Sequence, residues 1–270
     1  MCTLTAIQPE SRGGDDSPLF RVVVNRDEQR ARAESLPPCI TRAGLLDAIY
    51  PIDPVSRGTW IGVNTAGLVV GVLNSNTVEK PSNRLGLRSR GEIVPALLAC
   101  DSVSGAMTAA SQLPAHEFPP FRVVAVERDH IGVIVGDGAR TMVQTLRRFD
   151  TPFFATSSGL GDHIVEQPRR ELFDATLLRG VSDISDRQDA FHRHRWHDRL
   201  HVSVEMSRSD ARTVSRTVVE VFRDSVRLTY CGLREIDART AMAGHDAQAQ
   251  VSRRPRVAPP LNRVAQGLTT

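Results

Sequence analysis

Met1-Cys2-Thr3-Leu4-Thr5-Ala6-Ile7 opens the chain, and the fold turns on what this stretch is for. Leu4 and Ala6 fall on one face of an extended segment and Thr3 and Thr5 on the other, the period-two pattern of a strand. A cysteine directly after the initiator methionine is small enough for that methionine to be removed during synthesis. Removal leaves a thiol and a free α-amine on one residue. An amine with a pKa of about 8 takes the thiol proton without borrowing a histidine. A strand that holds Cys2 rigidly at its tip therefore makes it a candidate nucleophile, and the remaining chain is read outward from it.

Pro9 to Pro18 is a polar turn carrying Gly13-Gly14-Asp15-Asp16, after which Leu19-Phe20-Arg21-Val22-Val23-Val24 reads as a β-branched strand in a hairpin with the first. It runs into Asn25-Arg26-Asp27-Glu28, and a hairpin of this length brings Asp27 back towards residue 2. The bland reading is a solvated strand end; the sharper one is a polar cluster beside the N-terminal amine. From Gln29 to Arg57, prolines and alternating charges predict a long loop, with a short strand near Ile40 or over Ala48 to Ile52. Thr59 to Asn74 is the clearest hairpin, two apolar strands around Asn64-Thr65-Ala66-Gly67. Gly62 and Gly71 inside its strands mark close backbone approach or a bulge. Trp60 reads first as hairpin core, Asn64 and Gly67 as turn requirements. Asn74 closes the second strand.

Beyond the polar loop from Ser75 to Leu87, Ser89-Arg90-Gly91-Glu92 opens a helix to about Cys100, and Ser102 or Ser104 caps another to about Ser111. Strands follow over Phe121–Val126, Ile131–Val135, Thr141–Phe149 and Phe153–Thr156, ending in the bend Ser157-Ser158-Gly159-Leu160-Gly161-Asp162. Helices fit Val165 to Leu178 and Asp186 to Trp196, then strands over His201–Met206, Thr213–Phe222 and Ser225–Tyr230. From Ile236 onward the periodicity dissolves, so residues 1–235 read as one domain and 236–270 as a disordered tail. Strands, two helices, strands, two helices, strands suit an α+β, four-layer αββα sandwich of two stacked, mainly antiparallel sheets. A dinucleotide-binding sheet is excluded, since no GxGxxG joins a strand to a helix.

At 270 residues with 40% hydrophobic content, the chain supports a substantial core. The net charge of +3 rests on arginine, Lys80 being the only lysine, and acidic residues nearly balance it. No basic face with interleaved aromatics points to nucleic acid. Cys2, Cys39, Cys100 and Cys231 stand far apart without zinc spacing, which favours a reducing, cytoplasmic setting over a disulfide framework. No apolar stretch is long enough to span a bilayer. The histidines of Phe191-His192-Arg193-His194-Arg195-Trp196-His197 do not share a helical face as an i, i+4 pair would, so a solvated basic face is expected there rather than a metal site.

Four pieces gain meaning together: Cys2, Asn25-Arg26-Asp27-Glu28, Trp60-x-Gly62-x-Asn64-x-x-Gly67, and Leu73-Asn74. The combination resembles the NRDE family, also called the transport-and-Golgi-organisation-two family, named for the tetrapeptide at 25–28. The likeness is specific over residues 1 to 112 and looser from 113 to 235. It implies an N-terminal-nucleophile (Ntn) hydrolase fold akin to the penicillin V acylase and bile-salt hydrolase group, which cleaves non-peptide amides with an N-terminal cysteine. Carried over, Cys2 is the nucleophile and its α-amine the base, Asp27 holds that amine, and Asn74 donates to the oxyanion. Asn25, Arg26 and Glu28 belong to the signature, and Trp60 and Asn64 are candidates to touch substrate.

Two departures matter. Where those acylases carry a second asparagine, this chain has Ser157, whose hydroxyl is shorter. Their late arginine has two candidates here, Arg212 and Arg216, which share a sheet face by alternation. The resemblance implies a small-molecule amide or acyl substrate and no cofactor. A second reading, a binding or trafficking protein for haem or an acyl lipid on the same scaffold, is kept beside it. Nothing in the chain sets an oligomeric state.

Overall fold

Alternation of apolar and polar residues dominates the chain, and the backbone follows it. The computed structural model describes residues 2–10, 17–76, 87–234 and 243–253. Strands β1 (Cys2–Ile7) and β2 (Phe20–Gln29) form the first hairpin, followed by β3 (Leu36–Ala43), β4 (Leu46–Ile52), β5 (Ile61–Asn64) and β6 (Val69–Asn74). Helices α1 (Ile93–Leu97) and α2 (Val103–Ser111) precede β7 (Phe121–Val126), β8 (His130–Gly136), β9 (Thr141–Arg148) and β10 (Phe153–Thr156). Helices α3 (Asp162–Phe173) and α4 (Ile184–His192) lead to β11 (Ala211–Val221), β12 (Ser225–Arg234) and β13 (Ala243–Ser252).

Two antiparallel sheets result, one ordered β10-β1-β2-β11-β12-β13 and the other β3-β4-β5-β6-β7-β8-β9. Leu4, Ala6, Val22 and Val24 meet Ile61, Val63, Val69 and Leu73 in the core between them. On the outside of the second sheet, α1 and α2 bury Val94, Leu97, Leu98 and Met107 against Val70, Val72 and Ile134. On the outside of the first, Phe173 and Phe191 pack with Ile7 and Phe154. The result is the expected four-layer αββα sandwich. The strand glycines mark close approaches: a Cβ on Gly71 would stand 2.7 Å from Leu4 across the sheet interface, and one on Gly62 would stand 2.6 Å from Leu98 in the outer layer.

Local chemistry sets the helix starts. Ser89 and Glu92, expected to open a helix, form a capping box that opens a 3-10 turn (Arg90–Glu92) before the short α1, and Ser102 caps α2. Asp183 caps α4, accepting from Ser185 and Asp186 N–H, so that helix starts and ends earlier than expected. Helix α3 starts three residues before Val165 and continues as a π-turn to Leu178.

Three expectations are corrected. The loop over 29–57 contains the hairpin β3–β4; Pro37 and Pro38 are tolerated because β3 is an edge strand. Residues 201–206 form no ladder strand but a 3-10 turn (Leu200–Val202) and an irregular segment; its alternation is hidden by burial, Val202 through Met206 all being inside. The tail beyond Ile236 is not structureless throughout, because β13 pairs antiparallel with β12 along Ser225–Arg234. Its inward side chains are Ala249 and Val251, too small for a strong alternation signal, while Gln248 and Gln250 face out. Residues 235–242 and 254–270, like Met1, lie outside the described residues.

Candidate active site

The pairing of β1 with β2 sets Cys2 opposite Arg26 and Thr3 opposite Asn25. Side chains of directly opposed residues share a face, so Cys2 and Arg26 turn towards the space between the sheets. A cavity of about 400 Å³ opens there, lined by Cys2, Arg26, Asp27, Glu28, Trp60 and Asn74 among others. The first hairpin therefore delivers the thiol and Asp27, and the end of β6 delivers Asn74, to one cavity.

Cys2 is 5% exposed. Burial pushes its thiol above the ordinary range, and the Asp27 and Glu28 carboxylates push the same way against Arg26. Such a thiol stays protonated at neutral pH and needs a base before it can attack. The Cys2 nitrogen donates to Ser157 Oγ at 3.1 Å, and the Ser157 N–H donates to the Cys2 carbonyl at 2.9 Å. Ser157, fully buried behind Cys2, thus holds the Cys2 backbone nitrogen and carbonyl together. Asp27 is buried too, and burial raises its carboxyl, while Arg169 and the hydroxyl of Thr213, 2.7 Å away, pull it down. The side chain of Asn74, half-buried at the end of β6, makes no hydrogen bond to another described residue.

Arg26 forms the cavity's side wall. Its guanidinium lies 4.2 Å above the Trp60 ring, donates to Ser35 Oγ at 2.9 Å and pairs with Asp53. Arg32 grips the same Asp53 carboxylate at 2.9 and 3.0 Å. Burial alone would raise the Asp53 carboxyl, but the Arg32 bonds, the Ser56 N–H and the Arg26 charge hold it well below the carboxylate range. Glu28 stands 3.6 Å from both arginines. The Arg and Glu of the tetrapeptide thus share one ion-pair cluster, and the hairpin Trp serves as a platform for the Arg.

Other expected residues lie elsewhere. Asn25 faces the α4 layer, donating to the carbonyls of His192 (2.8 Å) and Val204 (3.0 Å). Asn64 is not a substrate contact: its fully buried amide donates to the carbonyls of Leu98 and Cys100 and accepts from Ala66 and Leu68 N–H, clamping the hairpin turn to the end of α1. Neither late arginine lines the Cys2 cavity. Arg212 donates to the Leu233 carbonyl and borders a smaller recess of about 150 Å³, and Arg216 pairs with Glu205 at 2.7 Å. The pairing of β2 with β11 shifts register between Thr213 and Ser215, and so counting by twos could not settle their faces.

Sequence reasoning missed Arg169, Thr213, Asp53 and His192. Arg169 is 1% exposed and spends its guanidinium on Thr3 Oγ1, Thr156 Oγ1 and the carbonyls of Val202 and Ser203, at 2.7–3.0 Å. His192 is no solvated base; it is fully buried between Thr5 Oγ1 (2.8 Å) and Asn25 Oδ1 (3.1 Å). No group of three or more His, Cys, Asp or Glu among the described residues could hold a metal. None of the described helices is long and apolar enough to cross a membrane.

Two stacked antiparallel sheets between helical layers, with a cysteine heading the strand that borders the cavity, make up an Ntn-hydrolase-like fold. The N-acylethanolamine-hydrolyzing acid amidase ortholog of Caenorhabditis elegans superposes with a TM-score of 0.50 at 12% identity, over 81% of this chain and 92% of its own. Penicillin V acylase from Agrobacterium tumefaciens matches at 0.49 and 11%, over 84% and 82%. The C2A mutant of conjugated bile acid hydrolase from Clostridium perfringens matches at 0.46 and 10%, over 95% and 97%. At such identities the likeness is one of fold, and the first of the three carries it. No curated protein is a significant match by sequence. The chain belongs to the Transport and Golgi organisation 2 family, whose model matches residues 1–170.

Proposed function

We propose that this protein is a cysteine hydrolase of the Ntn type, acting on a small, polar, non-peptide amide. After removal of Met1, the Cys2 amine takes the thiol proton as sulfur attacks the substrate carbonyl. Asn74 donates to the oxyanion of the tetrahedral intermediate, a contact typically worth about 3–4 kcal/mol. The carbon–nitrogen bond breaks, the leaving amine carries off the proton held by the Cys2 amine, and a thioester remains on Cys2. Water then adds to the thioester, releasing the carboxylic acid and restoring the thiol. Asp27 and Ser157 hold the amine throughout. No metal or organic cofactor enters this scheme.

One observation supports this reading above the others: Cys2, Asp27 and Asn74 border the same cavity, with the Cys2 nitrogen already tied to Ser157. The described walls are mainly charged and polar, with Trp60 and Val72 the large apolar contributions. Such walls suit a compact polar acyl group and offer little to haem or a long acyl chain, the ligands of the alternative reading.

Intact mass tests the proposal. With p-nitrophenyl acetate as the probe, the expected result is loss of Met1 and one acetyl group at Cys2, absent in Cys2→Ala. Retained Met1, or acetylation that survives Cys2→Ala, overturns it. Haem titration followed by absorbance addresses the alternative; a stoichiometric Soret shift would favour it.

A further inference from the structure

Asp27 has a second set of partners, Thr213 and Arg169, which are not part of the cavity lining. We propose that Thr213 is a positioning residue for the Cys2 amine: its hydroxyl fixes one oxygen of Asp27 and leaves the other for the amine. This rests on the Ntn reading above and extends it to a residue outside the cavity wall.

Three observations carry it. Thr213 is 1% exposed and its Oγ1 lies 2.7 Å from Asp27 Oδ1. The Met206 N–H donates to that same Oγ1 at 2.9 Å. An N–H cannot accept, so the hydroxyl proton is directed at the carboxylate. Thr213 N–H in turn donates to the Met206 carbonyl at 2.9 Å, which ties the residue at both ends. The sheet register is also built around this contact. Thr213 stands directly opposite Asp27, yet Ser215 rather than Val214 stands opposite Arg26. The extra residue is a bulge, a device that re-aims a side chain beside a site. It lets Thr213 stand opposite Asp27 while the ladder from Ser215 onward runs one residue out of step.

Arg169 acts on the same carboxylate differently. Its hydrogen bonds go to two threonine hydroxyls and two carbonyls, so what it gives Asp27 is the attraction of its charge. The groups facing Asp27 are Arg169 from α3, Arg208 from the segment before β11, Thr213 from β11, and Cys2 from β1. Burial raises the Asp27 carboxyl, and the Thr213 bond opposes that rise. Loss of the hydroxyl therefore moves the carboxyl further up and lets it turn away from the amine.

Full-length protein, checked by mass for loss of Met1, is acetylated with p-nitrophenyl acetate, and the rate at Cys2 is followed from the carboxylate pH range to the amine range. Thr213→Val is expected to slow acetylation at neutral pH roughly ten- to a hundredfold, the span of a hydrogen bond to a charged group. The acid limb of its pH profile should move up, while Thr213→Ser stays within about threefold of wild type. If Thr213→Val does not fold, Thr213→Ala takes its place with the same expected shift. A normally acetylated wild type with an unshifted Val or Ala variant, or a Ser variant as slow as Val, overturns the role of Thr213 alone. A wild type that takes no acetyl at Cys2 overturns the Ntn reading and leaves Thr213 nothing to position.

Discussion

The two helical layers do the same architectural job with different materials. Helices α1 and α2 cover the seven-stranded sheet with hydrocarbon, Val94, Leu97, Leu98, Ala106 and Met107 lying on Val70, Val72 and Ile134. Helices α3 and α4 cover the six-stranded sheet with a small aromatic cluster and a buried polar chain. In that chain Arg169 bridges Thr3 and Thr156, Gln188 joins Thr5 to Arg21, and His192 joins Thr5 to Asn25. The polar links all fall on β1, β2 and β10, the strands that carry Cys2 and Asp27 and end beside Ser157. Hydrocarbon alone leaves two packed layers free to slide by small amounts, whereas a satisfied polar network fixes one arrangement. The layer behind the reactive strand is the one that holds position.

Removing a polar link should therefore cost more than removing a methyl-rich side chain of equal burial. Arg169→Leu leaves two hydroxyls, two carbonyls and the Asp27 charge without their cation, and should lower stability by about 4 kcal/mol in urea unfolding. Leu97→Ala, 1% exposed under the opposite sheet, should cost about 3 kcal/mol through lost transfer energy and a cavity. The sharper contrast lies at Cys2. Leu97→Ala should leave the pH profile of acetylation by p-nitrophenyl acetate where it is, and Arg169→Leu should move its acid limb upward as the Asp27 carboxyl rises. Equal costs together with equal profiles would erase the distinction between the layers. A smaller effect is expected at the cavity wall: Arg26→Lys keeps the charge but loses the fork that spans Asp53 and Ser35 and the stacking on Trp60, for about 1–2 kcal/mol.

The same division decides what could be read from sequence. Strands with branched apolar residues on alternate positions, such as Leu19–Val24 and Thr59–Asn74, announce themselves because burial of one face dictates the pattern. So do the caps, since Ser89 with Glu92 has one local purpose. The Cys2–Asp27–Asn74 grouping became visible through family resemblance, and Asp27 also through hairpin length. Arg169 was hidden because an arginine in Gln167-Pro168-Arg169-Arg170 looks like any solvated helix face; its burial depends on oxygen atoms arriving from Thr3, Thr156 and residues 202–203. Thr213 was hidden by a bulge that alternation cannot count, and β13 by alanines too small to stand out. Asn64 misled for the reverse reason. A polar residue in a hairpin turn beside a reactive cysteine invites a substrate role, yet its amide is consumed by the backbone it pins.

His192 offers the finest test of the polar layer, because it turns burial into a pH dependence with a fixed sign. Burial holds its imidazole well below the ordinary range, and the charges of Arg216, Arg21 and Arg169 push the same way. The folded protein therefore keeps the ring neutral, one nitrogen for Thr5 and the other for Asn25. An unfolded histidine takes up a proton below about pH 6.5. Stability from this residue is thus complete above about pH 6.5 and falls as the pH drops, by up to about 1.4 kcal/mol per pH unit, until the folded ring itself protonates. Urea unfolding of wild type and His192→Gln at about one unit above and one unit below that point measures the difference. Glutamine keeps a donor and an acceptor but has nothing to titrate, so the variant should start less stable and lose less on acidification. A variant that loses stability in parallel with wild type would place the acid sensitivity elsewhere, and the α3–α4 layer would then be a passive cover like its counterpart.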